Sequence, residues 1–341
     1  MLGVACIGTG YWGKNLVRNF SNLKNAQLHY ICDANQSTLD KLAPQYPGVK
    51  LETNYEKLLA DSAVQAVIIA TPAPAHYPLA KAALEAGKHV FVEKPLTLLP
   101  DHAYELVELS ESRKQVLMVG HLLEYHPGVR WIKQRMAELG RIYCLYSQRL
   151  NLGIIRKDEN AWWSLAPHDI SVALYLLDKF PVSVSARGSC YLRPGVEDVV
   201  FANLAFDDDT MAQIHVSWLD PHKTRKLTLV GEKKMITFDD MEASEKIKVF
   251  DKGADRDYSD ASYGDHITLR SGDIYLPRLD MTEPLKLECD HFVDCCLNGK
   301  TPVSDGRDGL RVVQILHAAQ QSMRSGGAPF LLDNISRARP R

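Results

Sequence analysis

The chain has 341 residues, more than a single hydrophobic core usually serves, so two domains are expected. Lys and Arg number 40 against 42 Asp and Glu, a formal net charge of −2, which gives no electrostatic case for nucleic acid as a partner. No apolar run approaches the roughly 20 residues that span a bilayer. Leu2–Ile7 is too short for a signal peptide, and the seven cysteines are scattered without a CxxC pair. A cytoplasmic protein with reduced thiols, no bound metal and no membrane partner is expected.

In chain order, LGVACI reads as an apolar strand, and Leu16, Val17, Phe20 and Leu23 then share one helix face. LHYICD, AVQAVIIA, HVFVEK and QVLMVG are further strands, with helices at AHYPLAKAALEAG and DHAYELVELSESR. Strands that are apolar throughout and spaced by helices indicate a parallel sheet covered on both faces. Beyond Gly120 a helix, HPGVRWIKQRMAELG, leads into a strand-rich half: RIYCLYSQRL, PVSVSARGSCY, VVFANLAF, AQIHVSW, RKLTLVG and KIKVF. One helix interrupts them around Pro167 to Leu177, and two close the chain, near Leu285–Leu297 and Leu310–Arg324. The predicted architecture is an α/β domain over 1–122 and an α+β domain over 123–341, built on one large open sheet. In AQIHVSW, Ala212, Ile214, Val216 and Trp218 fall on one side and Gln213 and His215 on the other. A partly apolar open face predicts a homodimer or homotetramer joined sheet to sheet.

The first strand runs into GTGYWG, which fits G-x-G-x-x-G with Gly8, Gly10 and Gly13. The pattern gains its meaning from context: a strand before, a helix after, and Asp33 at the end of the next strand. Such glycines let the backbone approach a pyrophosphate at a helix N-terminus, and Asp33 would accept hydrogen bonds from ribose hydroxyls. Asp33 would repel a 2′-phosphate, and neither Ala34 nor Asn35 could hold one, so NAD is expected rather than NADP. Thr71-Pro72 and Glu93-Lys94-Pro95 follow later strands at their carboxyl ends, where ligands sit in open α/β sheets.

With Asp33, TPAPAH and VEKP, the GTGYWG loop makes the chain resemble, over essentially its whole length, the Gfo/Idh/MocA oxidoreductases, the glucose–fructose oxidoreductase and inositol dehydrogenase family. The resemblance implies a Rossmann domain followed by an α+β domain with a large open, mostly antiparallel sheet. It implies hydride transfer between NAD and a secondary alcohol of a sugar or cyclitol. Lys94 takes the place of the family's catalytic lysine. His168, in AWWSLAPHDISVALYLL, takes that of its catalytic histidine. Ser164 stands four residues earlier, where many relatives carry Asp; Asp169 projects about 100° from His168 and is not expected to replace that carboxylate. The implied cofactor contacts are Gly8, Gly10, Tyr11, Trp12, Gly13, Asp33, Thr71, Pro72, His76, Glu93, Lys94 and His121. Lys94, Ser164 and His168 are also expected to meet substrate.

SQRLNLGIIRKDENAWW, before the catalytic helix, carries Arg149, Asn151, Arg156 and Lys157 beside Trp162 and Trp163. Arg forks suit phosphate or carboxylate and aromatic faces suit sugar rings, so Arg149, Asn151, Arg156 and Trp163 are expected at the substrate. Lys223, Arg225 and Lys226 add positive charge. The NLG…R…PHD arrangement and SWLDPHKTRK are similar to family members acting on UDP-sugars. That likeness implies oxidation at C3 of a UDP-N-acetylhexosaminuronate, in polysaccharide biosynthesis. A free-sugar or myo-inositol dehydrogenase, and an NAD-binding sensor or scaffold without turnover, stay open as alternatives.

Overall fold

The computed structural model describes every residue except Ile154, Lys157, Asp158, 258–265 and 333–341. Along the chain run β1 (Leu2–Ile7), α1 (Gly13–Asn22), β2 (Ala26–Cys32), α2 (Gln36–Leu42), β3 (Lys50–Glu52), α3 (Tyr55–Ala60), β4 (Ala66–Ile69), α4 (His76–Glu85), β5 (His89–Glu93), α5 (Pro100–Ser112) and β6 (Leu117–Gly120). There follow α6 (Pro127–Lys133), β7 (Ile142–Leu150), α7 (Ala161–Leu177), β8 (Ser183–Ser189), β9 (Val199–Ala205), β10 (Met211–Ser217), β11 (Thr224–Gly231), β12 (Met235–Asp239), β13 (Ile247–Asp257) and β14 (His266–Tyr275). The chain closes with α8 (Pro284–Asn298), α9 (Gly306–Arg324) and β15 (Phe330–Leu331).

Two compact units form. The first holds Met1–Tyr125 and Thr282–Gln314; the second holds His126–Met281 and Ile315–Arg341. The first unit's six-stranded sheet has the order β3-β2-β1-β4-β5-β6, and its neighbouring strands are parallel. The order reverses between β1 and β4, which puts the loops after those two strands on either side of the switch point. On one face, Val4, Ile68, Phe91 and Met118 join Leu16, Val17 and Phe20 of α1 and Leu285, Cys289 and Phe292 of α8 in one buried cluster. Phe20, Phe91 and Phe292 meet edge to face with ring centroids 5.7–6.3 Å apart, an arrangement that favours the ring quadrupoles. This corrects the expected division at 122/123. Residues 282–314, expected in the second domain, belong to the first unit, where the apolar face of α8 is buried.

The second unit holds a nine-stranded sheet, β14-β13-β12-β11-β7-β10-β9-β8-β15. All its pairings are antiparallel except β10 with β7. Ala212, Ile214, Val216 and Trp218 are buried, and α7 packs on β10 and β7. The opposite face carries exposed Tyr146, Phe201 and Met211, with the Phe201 ring stacked on His215 at 4.0 Å. Two helices differ from expectation. The 126–140 helix ends at Lys133, and a 3-10 turn over Met136–Leu139 follows it. α7 begins six residues before Pro167, capped by the Asn160 side chain, which accepts from the Trp163 amide.

Candidate functional site

The first unit assembles a ligand site from its strand ends. After β1 the chain turns at Gly8 with φ +88°, a backbone conformation in which L side chains are strained. A Cβ on Gly13 would lie 2.1 Å from the Gly8 carbonyl oxygen, so the start of α1 can press against the loop only without a side chain. A Cβ on Gly10 would meet no protein atom within 4 Å: that position opens outward. α1 carries no acidic residue in its first turn, so the partial positive charge at its N-terminus is left for an anion. Tyr11 is 82% exposed beside this loop.

Asp33 stands just beyond β2. Its Oδ2 accepts from the Thr9 amide and hydroxyl, both at 2.8 Å, and its Oδ1 from the Asn35 amide at 3.0 Å. The glycine loop thus grips the carboxylate and aims it, while Oδ1 keeps acceptor capacity. Asp33→Ala is expected to weaken NADH binding roughly tenfold or more, on the scale of lost hydrogen bonds to a charged group. The same change should bring the NADPH affinity closer to that of NADH. Fluorescence titration with both cofactors measures each effect, and an unchanged ratio would remove Asp33 from the ribose.

Beyond β5, the Glu93 carboxylate accepts from the indole Nε1 of Trp12 at 2.5 Å and from the Lys94 amide at 3.2 Å. The glycine loop is thereby tied to the segment that carries Lys94, and the Lys94–Pro95 peptide is cis. Burial pushes the Glu93 carboxyl up to about 7, against the pull of Lys94 and of the Trp12 bond. An acid that keeps its proton longer in the folded state gives its full stabilisation below the unfolded value of 4.5, then loses it as pH rises through 7. Glu93→Gln is therefore expected to melt with wild type at pH 4 and above it at pH 8; coincident melts at pH 8 would contradict this.

Two of the expected cofactor contacts resolve differently. His76 is 1% exposed, and its ring nitrogens sit 2.7 Å from the Pro95 carbonyl and 2.8 Å from the Thr71 carbonyl. It is a buried brace between the ends of β4 and β5 rather than a ligand-facing group, which corrects the sequence reading. Two hydrogen bonds to carbonyls would need the charged ring, whereas burial lowers its pKa. The neutral ring, donating to one carbonyl, is the better description, because burial is the larger of the opposing influences. His121, after β6, is fully buried, and neither of its nitrogens has a hydrogen-bond partner among the described residues. Burial and the charge of Lys94 hold it down to about 3, hence neutral. The buried Thr71 Oγ1 likewise has no such partner among them. Unpaired buried polar atoms are costly. Here they stand at the ends of β4 and β6, the strands that flank Lys94's own. The open Gly10, the uncompensated helix end, the aimed Asp33 and these polar atoms fit a dinucleotide.

Glu288, invisible to sequence reasoning, lies wholly buried on α8, and neither of its carboxyl oxygens is hydrogen-bonded among the described residues. Burial, and then Glu93, hold it protonated.

In the second unit, Trp163 is half-buried and Ser164 buried on the first turns of α7, with His168 one turn on and partly exposed. Arg149 is 8% exposed and pointed inward: its Nε donates to Asp169 Oδ2 at 2.6 Å. That replaces the expected free anion-binding fork with an internal ion pair. Arg156 is exposed and pairs with Glu159 at 3.0 Å, and Asn151 follows β7 with its amide bonded to the Ser217 carbonyl. Lys157 lies outside the described residues. Lys223 and Lys226 are exposed, and Arg225 faces Asp240 at 3.4 Å.

A parallel sheet in this order, with a glycine loop and acidic partner at its switch point, defines the class of dinucleotide-binding Rossmann folds. Its particular place follows from comparison. Residues 2–121 match the GFO_IDH_MocA model, "Oxidoreductase family, NAD-binding Rossmann fold", and residues 149–237 match the GFO/IDH/MocA C-terminal domain, together more than half of the chain. The chain belongs to the GFO/IDH/MocA oxidoreductases, and its first unit contains an NAD-binding Rossmann domain. It is 25% identical over 259 residues to the UDP-N-acetylglucosamine 3-dehydrogenase of Acidithiobacillus ferrooxidans, covering 73% of this chain and 76% of that one. It is also 25% identical to the scyllo-inositol 2-dehydrogenase (NAD(+)) of Bacillus subtilis, covering 98% of this chain and 95% of that one. The solved structure of the Acidithiobacillus enzyme GnnA matches with a TM-score of 0.81 at 23% identity, covering 95% of this chain and 98% of that one. Among the described residues no helix is long and apolar enough to cross a membrane.

Proposed function

We propose that the chain is an NAD-dependent dehydrogenase of a secondary alcohol on a UDP-linked N-acetylhexosamine or its uronate, acting at C3. The observation that carries the dehydrogenase reading is Lys94 directly beyond β5, the strand between β4 and β6, which Thr71 and His121 closely follow. NAD, when bound, supplies the hydride acceptor. Lys94 orients the hydroxyl and stabilises negative charge developing on its oxygen. His168 receives the proton, a task suited to an imidazole, which titrates near neutrality in water. Buried Ser164, in place of a carboxylate, keeps negative charge away from an anionic substrate. The UDP-sugar reading rests on the likeness to the Acidithiobacillus enzyme and on the exposed cations Arg156, Lys223 and Lys226, which a neutral polyol would not use. Inositol oxidation is the second reading, supported by the nearly full-length match to the Bacillus enzyme.

One screen separates these readings: thermal shift and NADH production with UDP, UDP-N-acetylglucosamine, its uronate, glucose and myo-inositol. Stabilisation by the UDP compounds with turnover of a UDP-sugar is expected. Turnover of inositol or glucose with no shift from any UDP compound selects the second reading, and NAD binding without turnover of any sugar selects a sensor or scaffold. The exposed apolar residues on the open face of the nine-stranded sheet are proposed to join copies of the chain. Light scattering on the purified protein checks this: a dimer or tetramer is expected.

A further inference from the structure

We infer that the buried Arg149–Asp169 pair is the positioning device that fixes the roll of α7 and thereby the place of the His168 ring; this rests on the proposed role of His168 as base. Arg149 is the second-last residue of β7, set between Val216 of β10 and Arg225 of β11. Its guanidinium reaches α7 with Nε 2.6 Å from Asp169 Oδ2 and Nη2 3.5 Å from Oδ1. Both side chains are nearly closed to solvent, 10% and 7% exposed. Asp169 directly follows His168, so what holds one holds the other.

The helix needs such a hold here. Pro167 lies inside α7, one residue before His168. Proline has no amide hydrogen, so the carbonyl one turn earlier, at Trp163, loses its regular i+4 donor and the ladder is weakened at that point. α7 packs on β10 and β7, and its buried side chains include the apolar or small Ala166, Ile170 and Ala173. Apolar contacts are non-directional and tolerate a few degrees of rotation. A planar fork on a carboxylate does not, because both its direction and its distance are set. The pair adds the angular restraint at the residue next to the base. Buried ion pairs are weak evidence of stability, since apolar replacements are often as stable, and this leaves geometry as the reason for one here.

The test uses Arg149→Leu/Asp169→Leu, which removes both charges together and leaves neither unpaired, with Arg149→Lys as a milder variant that keeps the charge and loses the fork. For the double variant a melting temperature near wild type is expected, with unchanged NADH binding. Its kcat on UDP-N-acetylglucosaminuronate should fall tenfold or more, since displacing a reacting group by about 1 Å can cost about a hundredfold. Arg149→Lys should fall between. A second readout needs no turnover: the His168 ring signal in the NMR spectrum of the NADH-bound protein, assigned by its loss in His168→Ala. It should be shifted and broadened in the double variant. A kcat within twofold of wild type with an unmoved ring signal would overturn the inference. So would a kcat loss accompanied by an equally plain loss of thermal stability in both variants. Normal turnover of His168→Ala would instead sink the role of His168 itself, a failure distinct from that of the pair.

Discussion

Lys94→Met is expected to cut turnover at least a hundredfold while NADH binds almost as tightly as to wild type. Methionine keeps the unbranched length of lysine and removes only the ammonium. Loss of one oriented donor to a developing oxyanion costs about a hundredfold to a thousandfold in kcat, and loss of a general acid–base partner lies in a similar range. The residues proposed to bind the dinucleotide lie elsewhere in the first unit: the glycine turn, the helix end and Asp33. The substitution should also register in its neighbours. Burial is the main reason that the rings of His76 and His121 stay neutral, and the Lys94 charge adds to it while pulling the Glu93 carboxyl down against its own burial. Without it, Glu93 should hold its proton to higher pH and both histidines should become easier to charge. Steady-state kinetics and NADH titration on the same preparation decide the point. Near-normal turnover would move the chemistry away from the end of β5.

Gly13→Ala and Gly10→Ala are expected to divide sharply, though both lie in the same loop. An added Cβ at position 13 would fall 2.1 Å from the Gly8 oxygen and 2.9 Å from its carbonyl carbon, backbone atoms that no side-chain rotation can clear. The loop must move, and overpacking of this kind costs about 1–3 kcal/mol. Gly13→Ala should therefore melt several degrees lower, on the scale of about 2–4 °C per kcal/mol, and lose NADH affinity as well. Position 10 has no protein atom within 4 Å of the added carbon, so Gly10→Ala should melt with wild type. It should still lose NADH affinity, because that space is the one proposed for the pyrophosphate. Paired thermal melts and NADH titrations check both variants. Unimpaired NADH binding by Gly10→Ala would place the pyrophosphate elsewhere.

Local sequence was enough for the first unit's alternation, because fully apolar strands and one-sided helices carry their own periodicity. GTGYWG with Asp33 was legible for the same reason: the turn, the helix and the acidic strand end lie within one short stretch. Short or mixed elements were not legible. KLE of β3 is too brief to show a period. HITLRSGDIY of β14 interleaves Ser, Gly and Asp with its apolar residues and stays largely exposed on the described part of the sheet edge.

Where a side chain points was the other gap. His76 and Arg149 read as polar residues free to meet a ligand, and Glu288 carries no signal in the sequence at all. The fold buries all three, giving the first two partners remote in sequence, the Pro95 carbonyl and Asp169. The return of α8 to the first unit rests on Phe292 meeting Phe20 and Phe91, about 270 and 200 residues away. Local pattern by itself determined the longer apolar strands, the amphipathic helices between them and the cofactor loop of this protein, because backbone geometry and side-chain period act over a few residues. Only the tertiary structure decided which unit owns α8, which cations are spent inside, and what holds His168, because burial and pairing depend on segments that only folding brings together.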